Sequence, residues 1–242
     1  MKLKDKTALI TGGSKGIGKG IAKAFLKEGA IVIICGRNER DLKRTRDDLS
    51  KYGNISYIKA DISKRNQVKS LKNKIERMFG KLDVLVNNAS VLGLRKPIMD
   101  YDEDIWQETI HINLNAQFFV TKALLPLLMN ANNPSIINVS SSVGRRGKGG
   151  WGAYAASKFG LEGLTQVLAD ELKSNVRVNS VNPGGTRTEM RAEAYPEEDP
   201  ETLPTPDDIA PIFVYLASDD SISVTGEAFN ARDWMREQQS MQ

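Results

Sequence analysis

Histidine and cysteine are almost absent from this chain, with only His111 and Cys35 present. One histidine argues against a histidine-based catalytic triad or a metal cluster, so no metal site is expected. One cysteine excludes an internal disulfide framework and agrees with a reducing cytoplasm. No apolar run is long enough to span a bilayer. The basic start, Met1-Lys-Leu-Lys-Asp-Lys6, has the charge of a signal segment's first region, but the apolar stretch after it ends at the glycines by residue 12. The expectation is therefore a cytoplasmic protein with no membrane partner. Concentrated charge is missing too. The net charge is +4, and bases alternate with acids, as in Asp41-Leu-Lys-Arg-Thr-Arg-Asp-Asp48, which describes a solvated helix face rather than a nucleic-acid surface. Internal repeats, low-complexity segments and a linker are all lacking. With 40% hydrophobic residues over 242 positions, one core is affordable, and residues 1–242 read as a single domain.

What is present alternates. Short apolar runs at 7–10, 30–35, 55–59, 83–86, 135–139 and 176–181 read as buried strands. Between them, amphipathic stretches at about 17–28, 38–51, 64–79, 103–130, 152–173 and 207–217 read as helices, the fourth with a possible bend at Pro126. This order predicts an α/β fold, a doubly wound parallel sheet with helices on both faces. Ligands of such a sheet bind beyond the carboxyl ends of its strands.

The first strand runs into Thr11-Gly-Gly-Ser-Lys-Gly-Ile-Gly18, and a helical pattern follows. Glycines there permit a tight turn and let main-chain amides approach a pyrophosphate at the positive end of the helix. The spacing is G-x-x-x-G-x-G rather than the common G-x-G-x-x-G. Gly13 to Lys19 also spells G-x-x-x-x-G-K, but Gly20 stands where a phosphate-hydrolysing loop needs a hydroxyl for magnesium. Further on, Tyr154 and Lys158 lie four apart in a predicted helix, so the ammonium sits near the phenol and favours its charged form. Alone, this pair is equally a buried tyrosine beside a solvated lysine. Ser141, on a different element, gives it company.

Taken together, Thr11-Gly12 to Gly18, Asn87-Asn88-Ala89, Asn113, Ser141, Tyr154-x-x-x-Lys158 and Pro183-Gly184 resemble the short-chain dehydrogenase/reductase family, from about residue 5 to 230. The resemblance implies a Rossmann fold of about seven strands. It also implies cofactor contacts from Gly12, Ser14, Lys15, Gly16, Ile17 and Gly18, from Asn88 and Ala89, and from Tyr154 and Lys158. Asn87 and Ala89 resemble residues that line the adenine ribose and steady the central sheet. Two features depart from the family. Ser90 replaces the glycine that usually ends the N-N-A-G run, a small change that the fold is expected to tolerate. The close, Gly226-Glu-Ala-Phe-Asn-Ala-Arg-Asp233 followed by Trp234 and a polar tail, differs from the usual V-D-G-G-like strand and bears on the pocket floor and on a subunit contact.

For catalysis the resemblance assigns Asn113, Ser141, Tyr154 and Lys158. Tyr154 is the proton donor to a carbonyl oxygen, Ser141 hydrogen-bonds that oxygen, and Lys158 holds the nicotinamide ribose and lowers the tyrosine pKa. The Asn113 amide, within Ile112-Asn-Leu-Asn115, keeps a local helix distortion hydrated and holds a water in a relay from Lys158 to solvent. Asn115 competes with Asn113, and Ser140 and Ser142 with Ser141. The cofactor follows from the end of the second strand, Cys35-Gly36-Arg37-Asn38, which carries no carboxylate for the ribose hydroxyls of NAD. Arg37 and Lys15 form the basic pair that suits a 2′-phosphate, so NADP(H) is preferred and NAD(H) remains possible. Asp61 resembles the acid that meets the adenine amino group, with Ile62 beside the base, although Asp61 can also cap the next helix.

Pro183, Gly184, Thr186 and Thr188 are expected around the nicotinamide, and residues 188–206, proline-rich and acidic, read as a substrate lid. Arg145, Arg146 and Lys148 are either an entry for an anionic substrate or a solvated loop. The expected partner is a small carbonyl or alcohol, with a 3-oxoacyl thioester of an acyl carrier protein as the narrower alternative. A dinucleotide-binding regulator without turnover is the alternative of another class. A homodimer or homotetramer is implied by the resemblance, with Phe118, Phe119, Leu164 and Leu168 as interface or core residues.

Overall fold

The computed structural model describes residues 1–173 and 175–240. Seven parallel strands form one sheet: β1 (Thr7–Thr11), β2 (Ile31–Gly36), β3 (Ile55–Lys59), β4 (Val84–Asn87), β5 (Ser135–Val139), β6 (Arg177–Asn182) and β7 (Ala228–Asn230). Their order is β3-β2-β1-β4-β5-β6-β7, so the sheet grows outward in both directions from β1 and β4. This is the expected doubly wound sheet. Strands such as β1 (Thr-Ala-Leu-Ile-Thr) are buried along their whole length, as the two covered faces of a parallel sheet require.

On one face α1 (Gly16–Lys27) packs on α8 (Pro206–Ala217), and α2 (Glu39–Leu49) flanks β2 and β3. The apolar stripe of α1, Ile21, Ala22, Phe25 and Leu26, meets Ile209, Ile212 and Phe213 there. The other face is covered by α3 (Arg65–Phe79), α5 (Ala116–Met129) and α6 (Gly152–Leu172). By length and composition the 27-residue helix Glu103–Met129 is apolar enough to cross a membrane. Here Ala116, Val120, Leu124, Leu127 and Leu128 lie in the core under the sheet.

That long helix is interrupted, but not at Pro126. After α4 (Glu103–Ile110) the residues His111–Asn115 form one π-helical turn, and α5 then runs through Pro126. The amide of Ala116 reaches back to His111 O, five residues away, which leaves Ile112 O without its helical partner. Gln117 Nε2 takes it at 3.3 Å and also donates to Ala89 O at 2.6 Å. The widened turn thus points Asn113 at the loop after β4.

A second polar device aligns the helices with the sheet. Asn87 Nδ2 donates to Asn138 Oδ1 at 2.9 Å and to Thr121 Oγ1 at 3.0 Å, and Asn138 Nδ2 donates to Thr165 Oγ1 at 2.8 Å. These bonds tie β4 and β5 to α5 and α6 in a buried interior, where each is strong and each loss costly. Asn87 accordingly serves the sheet and not the cleft.

The unusual ending completes the architecture. β7 adds to β6, and α9 (Ala231–Ser240) folds back so that Trp234 stacks near Tyr215 of α8 at 5.7 Å. Arg145 is drawn into this corner. Its guanidinium donates to Glu162 Oε1 at 2.9 Å, Asn230 Oδ1 at 2.9 Å and Phe229 O at 3.1 Å. Arg145 therefore braces β7 against α6 and is not part of an entry surface.

Candidate active site

A cleft of about 870 Å³ runs across the carboxyl ends of β1, β2, β4 and β5. Its floor is the glycine turn. Gly12 has φ +63°, a left-handed conformation that glycine adopts without strain, and a Cβ there would stand 2.9 Å from Ala89 Cα. Gly18 is closed differently, since a Cβ would meet Gly12 O at 2.5 Å. At Gly16 the nearest atom to such a Cβ is Thr188 Cγ2 at 3.4 Å, across the mouth of the cleft. Lys15 precedes α1 without a side-chain cap, and the first turn holds no acid. The leading amides of α1 and its dipole face the cleft, and these donors fit a pyrophosphate. Asn88 Nδ2 locks the turn to β4 through Thr11 O at 2.8 Å and Gly12 O at 3.1 Å.

One end of the cleft is lined by Arg37, Asn38, Asp61 and Ile62. Asn38 caps α2 through Arg40 N and Asp41 N, and Arg37 is exposed beside it. Asp61 Oδ1 accepts from Ser63 N at 3.0 Å and Ser63 Oγ at 2.7 Å, so it holds a local turn while facing the cleft. Lys15 leans the other way. Its Nζ lies 2.5 Å from Glu189 Oε2 of α7 (Glu189–Ala194), an exposed pair that bridges the mouth. Cys35 also lines the cleft, but burial pushes its thiol up to about 12, which leaves it without nucleophilic use.

The other end holds Ser90, Val91, Tyr154 and Lys158. Tyr154 and Lys158 share a face of α6, with Lys158 Nζ 5.5 Å from the Tyr154 ring centre. Lys158 Nζ donates to Val139 O at 2.9 Å. Both side chains are nearly buried, at 8% and 3% exposure. The hydroxyls of Ser141 and Ser90 face the phenol. The structure thus brings Ser141, Tyr154 and Lys158 together, while Asn115 is exposed and Ser142 also points to solvent.

Three expectations are corrected here. The phenol of Tyr154 is not lowered by its lysine: burial pushes it up to about 12, with Ser141 and Ser90 acting in the opposite sense. Burial likewise brings Lys158 down to about 8, with Glu162 opposing. Asn113, fully buried, does not offer its amide to a water. Oδ1 accepts from Val91 N at 2.8 Å, and Nδ2 donates to Val91 O at 2.9 Å and Ser157 Oγ at 3.3 Å. Thr186 is turned inward, its hydroxyl donating to Pro183 O at 3.3 Å. Pro183 and Thr188 line the cleft, and Thr188 Oγ1 caps α7 through Arg191 N.

A desolvated cation at Lys158 lowers stability wherever it stays charged. Its folded pKa lies below the unfolded one, so the unfolded chain binds more protons between pH 8 and 10.5, and the penalty is relieved as pH rises through that window. Replacing Lys158 with methionine is expected to raise stability at pH 7 by about 1–2 kcal/mol, with the gain shrinking above pH 8. Urea unfolding of both proteins across that range checks it.

Residues 188–206 cover this end. Met190, Ala194 and Tyr195 pack with Leu92, Val143, Trp151 and Tyr154. The Tyr195 ring lies 4.6 Å from the Arg95 guanidinium and 3.9 Å from that of Arg191, and its hydroxyl accepts from Lys148 Nζ at 3.2 Å. Trp151 stands between Tyr195 and Tyr154, 6.0 Å and 5.5 Å from them. The spacing of Trp151 and Arg95 in the sequence carries no signal of this role.

The comparisons with known proteins agree with this geometry. The short chain dehydrogenase family model matches residues 6–199. The uncharacterized oxidoreductase YciK of Escherichia coli is 42% identical over 234 residues, covering 95% of this chain and 93% of its own. A 3-oxoacyl-[acyl-carrier-protein] reductase, FabG of Thermotoga maritima, is 38% identical over 240 residues, covering 94% and 96%. A short chain dehydrogenase from Shigella flexneri, crystallised with NADP, superposes with a TM-score of 0.93 at 42% identity, covering 96% of this chain and 98% of that one. The chain belongs to the short-chain dehydrogenase family and is an oxidoreductase.

Proposed function

We propose that this oxidoreductase uses NADP(H) to interconvert a ketone or aldehyde with its alcohol, with Tyr154 as acid and base. The observation that carries the reading is one cleft with two chemistries. Arg37 stands at one end, where Gly36-Arg37-Asn38 carries no carboxylate, Lys15 lines the same cleft, and Tyr154 and Lys158 stand at the other end with Ser141 acting on the phenol. Asp41, a turn further along α2, is paired with Arg44 at 3.4 Å. The NADP bound by the Shigella flexneri relative supports the same choice.

The bound cofactor supplies or accepts the hydride. In reduction Tyr154 gives its hydroxyl proton to the oxygen where negative charge develops, and Ser141 donates a hydrogen bond to that oxygen. Lys158, held by Val139 O, orients the ribose through its ammonium. Asn113 fixes Val91, and with it the loop beside the phenol. Gly12, Ser14, Gly16, Ile17, Gly18, Asn88 and Ala89 shape the pyrophosphate and ribose seat. The segment 188–206 is the lid, closed by the Tyr195 cluster, and it opens to admit substrate.

Arg37 makes charge-assisted bonds to the 2′-phosphate. Lys15 joins it by leaving Glu189, an exposed pair that holds it by no more than about 1 kcal/mol. Thermal-shift titrations are expected to show tighter binding of NADPH than of NADH, and equal responses would remove the NADP(H) preference.

A 3-oxoacyl thioester is the narrower substrate favoured by the FabG relative and by the exposed bases Arg146 and Lys148 beside the lid. A regulator without turnover is disfavoured, because the altered ending folds onto the sheet and braces the 183–186 turn through Arg232 to Gly185 O. Phe118, Phe159 and Val167 lie exposed on α5 and α6, with Leu164 and Leu168 half-buried between them. These faces pair with a second copy in a homodimer or homotetramer, which light scattering reads as a multiple of the chain mass.

A further inference from the structure

Ser90 places a hydroxyl where the family usually has none, and the main chain around it is pinned on both sides. Ala89 N donates to Thr11 Oγ1 at 3.0 Å, and Ala89 O accepts from Gln117 at 2.6 Å. Val91 is held at both its amide and its carbonyl by Asn113. The Ser90 side chain is left with little freedom beyond rotation about its own Cα–Cβ bond. It opens on the same wall of the cleft as Tyr154.

Ser90 Oγ is shut off from solvent and closes no hydrogen bond of good geometry among the described residues. A buried hydroxyl without a partner is costly, and a native structure that keeps one calls for a reason. The Tyr154 phenol lines the same cleft and is the group on which the Ser90 hydroxyl acts. Ser90 and Ser141 both counter the effect of burial on that phenol.

We propose that Ser90 is a positioning residue for Tyr154, donating a hydrogen bond to the phenol oxygen alongside Ser141 and remaining its serine donor once Ser141 turns to the substrate. This rests on Tyr154 being the acid and base. A serine hydroxyl has one proton to donate, so Ser141 cannot serve the substrate oxygen and the phenol together. When Tyr154 passes its proton to the substrate oxygen, the phenolate left behind keeps Ser90 as a donor. The Ser90 proton stays on its own oxygen throughout. The charged group facing the Tyr154 ring is Lys158, while Arg95 and the Tyr195 phenol stand behind Trp151. The role adds to the four family residues and explains why a serine is accommodated at a glycine position.

Two readouts test it in Ser90→Gly, Ser90→Ala and Ser90→Thr. The first is the ring-carbon resonance of isotope-labelled Tyr154, assigned with Tyr154→Phe and measured at neutral pH without substrate. The second is the pH profile of kcat for alcohol oxidation. Glycine and alanine are expected to move the Tyr154 resonance, shift the profile upward by about half to one pH unit and slow turnover about three- to tenfold, with threonine restoring all three. Ser90→Gly folds readily, since it restores the family's residue. An unmoved resonance and profile in Ser90→Gly would overturn the proposal. Full turnover by Tyr154→Phe would overturn the acid–base reading beneath it, a failure visible without any Ser90 variant.

Discussion

Tyr154→Phe is expected to lower turnover by about 10²–10⁴-fold while leaving NADPH affinity and thermal stability near those of the parent. The substitution removes one oxygen and keeps the ring that packs on Trp151 at 5.5 Å, so loss of activity cannot be ascribed to loss of fold. The pH dependence is directional. With its phenol pushed up to about 12, Tyr154 stays protonated through the neutral range, so reduction, which needs the proton, is expected to be flat there and to fall on the alkaline side. Oxidation needs the phenolate and is expected to rise with pH. Steady-state rates in both directions, for parent and variant, check the size of the loss and the opposed slopes.

Arg37→Ala is expected to weaken NADPH binding by about 10- to 150-fold, the worth of hydrogen bonds to a charged group, and to leave NADH binding unchanged. The asymmetry follows from position. Arg37 is exposed at the end of β2 and is not engaged by a carboxylate among the described residues, so its guanidinium is available to a phosphate. Lys15→Ala is expected to cost less, because its ammonium must first part from Glu189. Calorimetric titration with each dinucleotide separates the two residues. Equal losses for NADPH and NADH in Arg37→Ala would place the arginine outside the phosphate site.

The central sheet is legible because most of its strands are short segments rich in apolar and β-branched residues between amphipathic stretches. β3 at 55–59 and β5 at 135–139 match the sequence reading residue for residue. β7 was not legible: three residues, none fully buried, give alternation nothing to work on. α9 was missed because its apolar content amounts to little more than Trp234 and Met235 beside Ala231. Of the two irregularities expected in the fourth helix, the bend at Pro126 is absent, since α5 runs through it, and the local distortion around Asn113 is present as the π-helical turn His111–Asn115.

The site was legible as a set of residues and less so as a set of environments. Spacing puts Tyr154 beside Lys158, but burial decides the direction of both pKa values, and that of Tyr154 depends on Leu92, Trp151 and the lid packing with it. Arg145 looked like its basic neighbours at 146 and 148. Only the fold shows Glu162 waiting for it on α6. Ser90 read as a tolerated exchange of one small residue for another. Its significance lies in an oxygen with no other partner, which is a property of the packed structure.

The most direct test of the account is transfer of deuterium from labelled NADPH to a panel of ketones and aldehydes, with products read by mass spectrometry. The account predicts label on the carbinol carbon of at least one product with the parent protein, and about 10²–10⁴-fold less with Tyr154→Phe. Firm NADPH binding with no label on any product, or equal labelling by the variant, would contradict it.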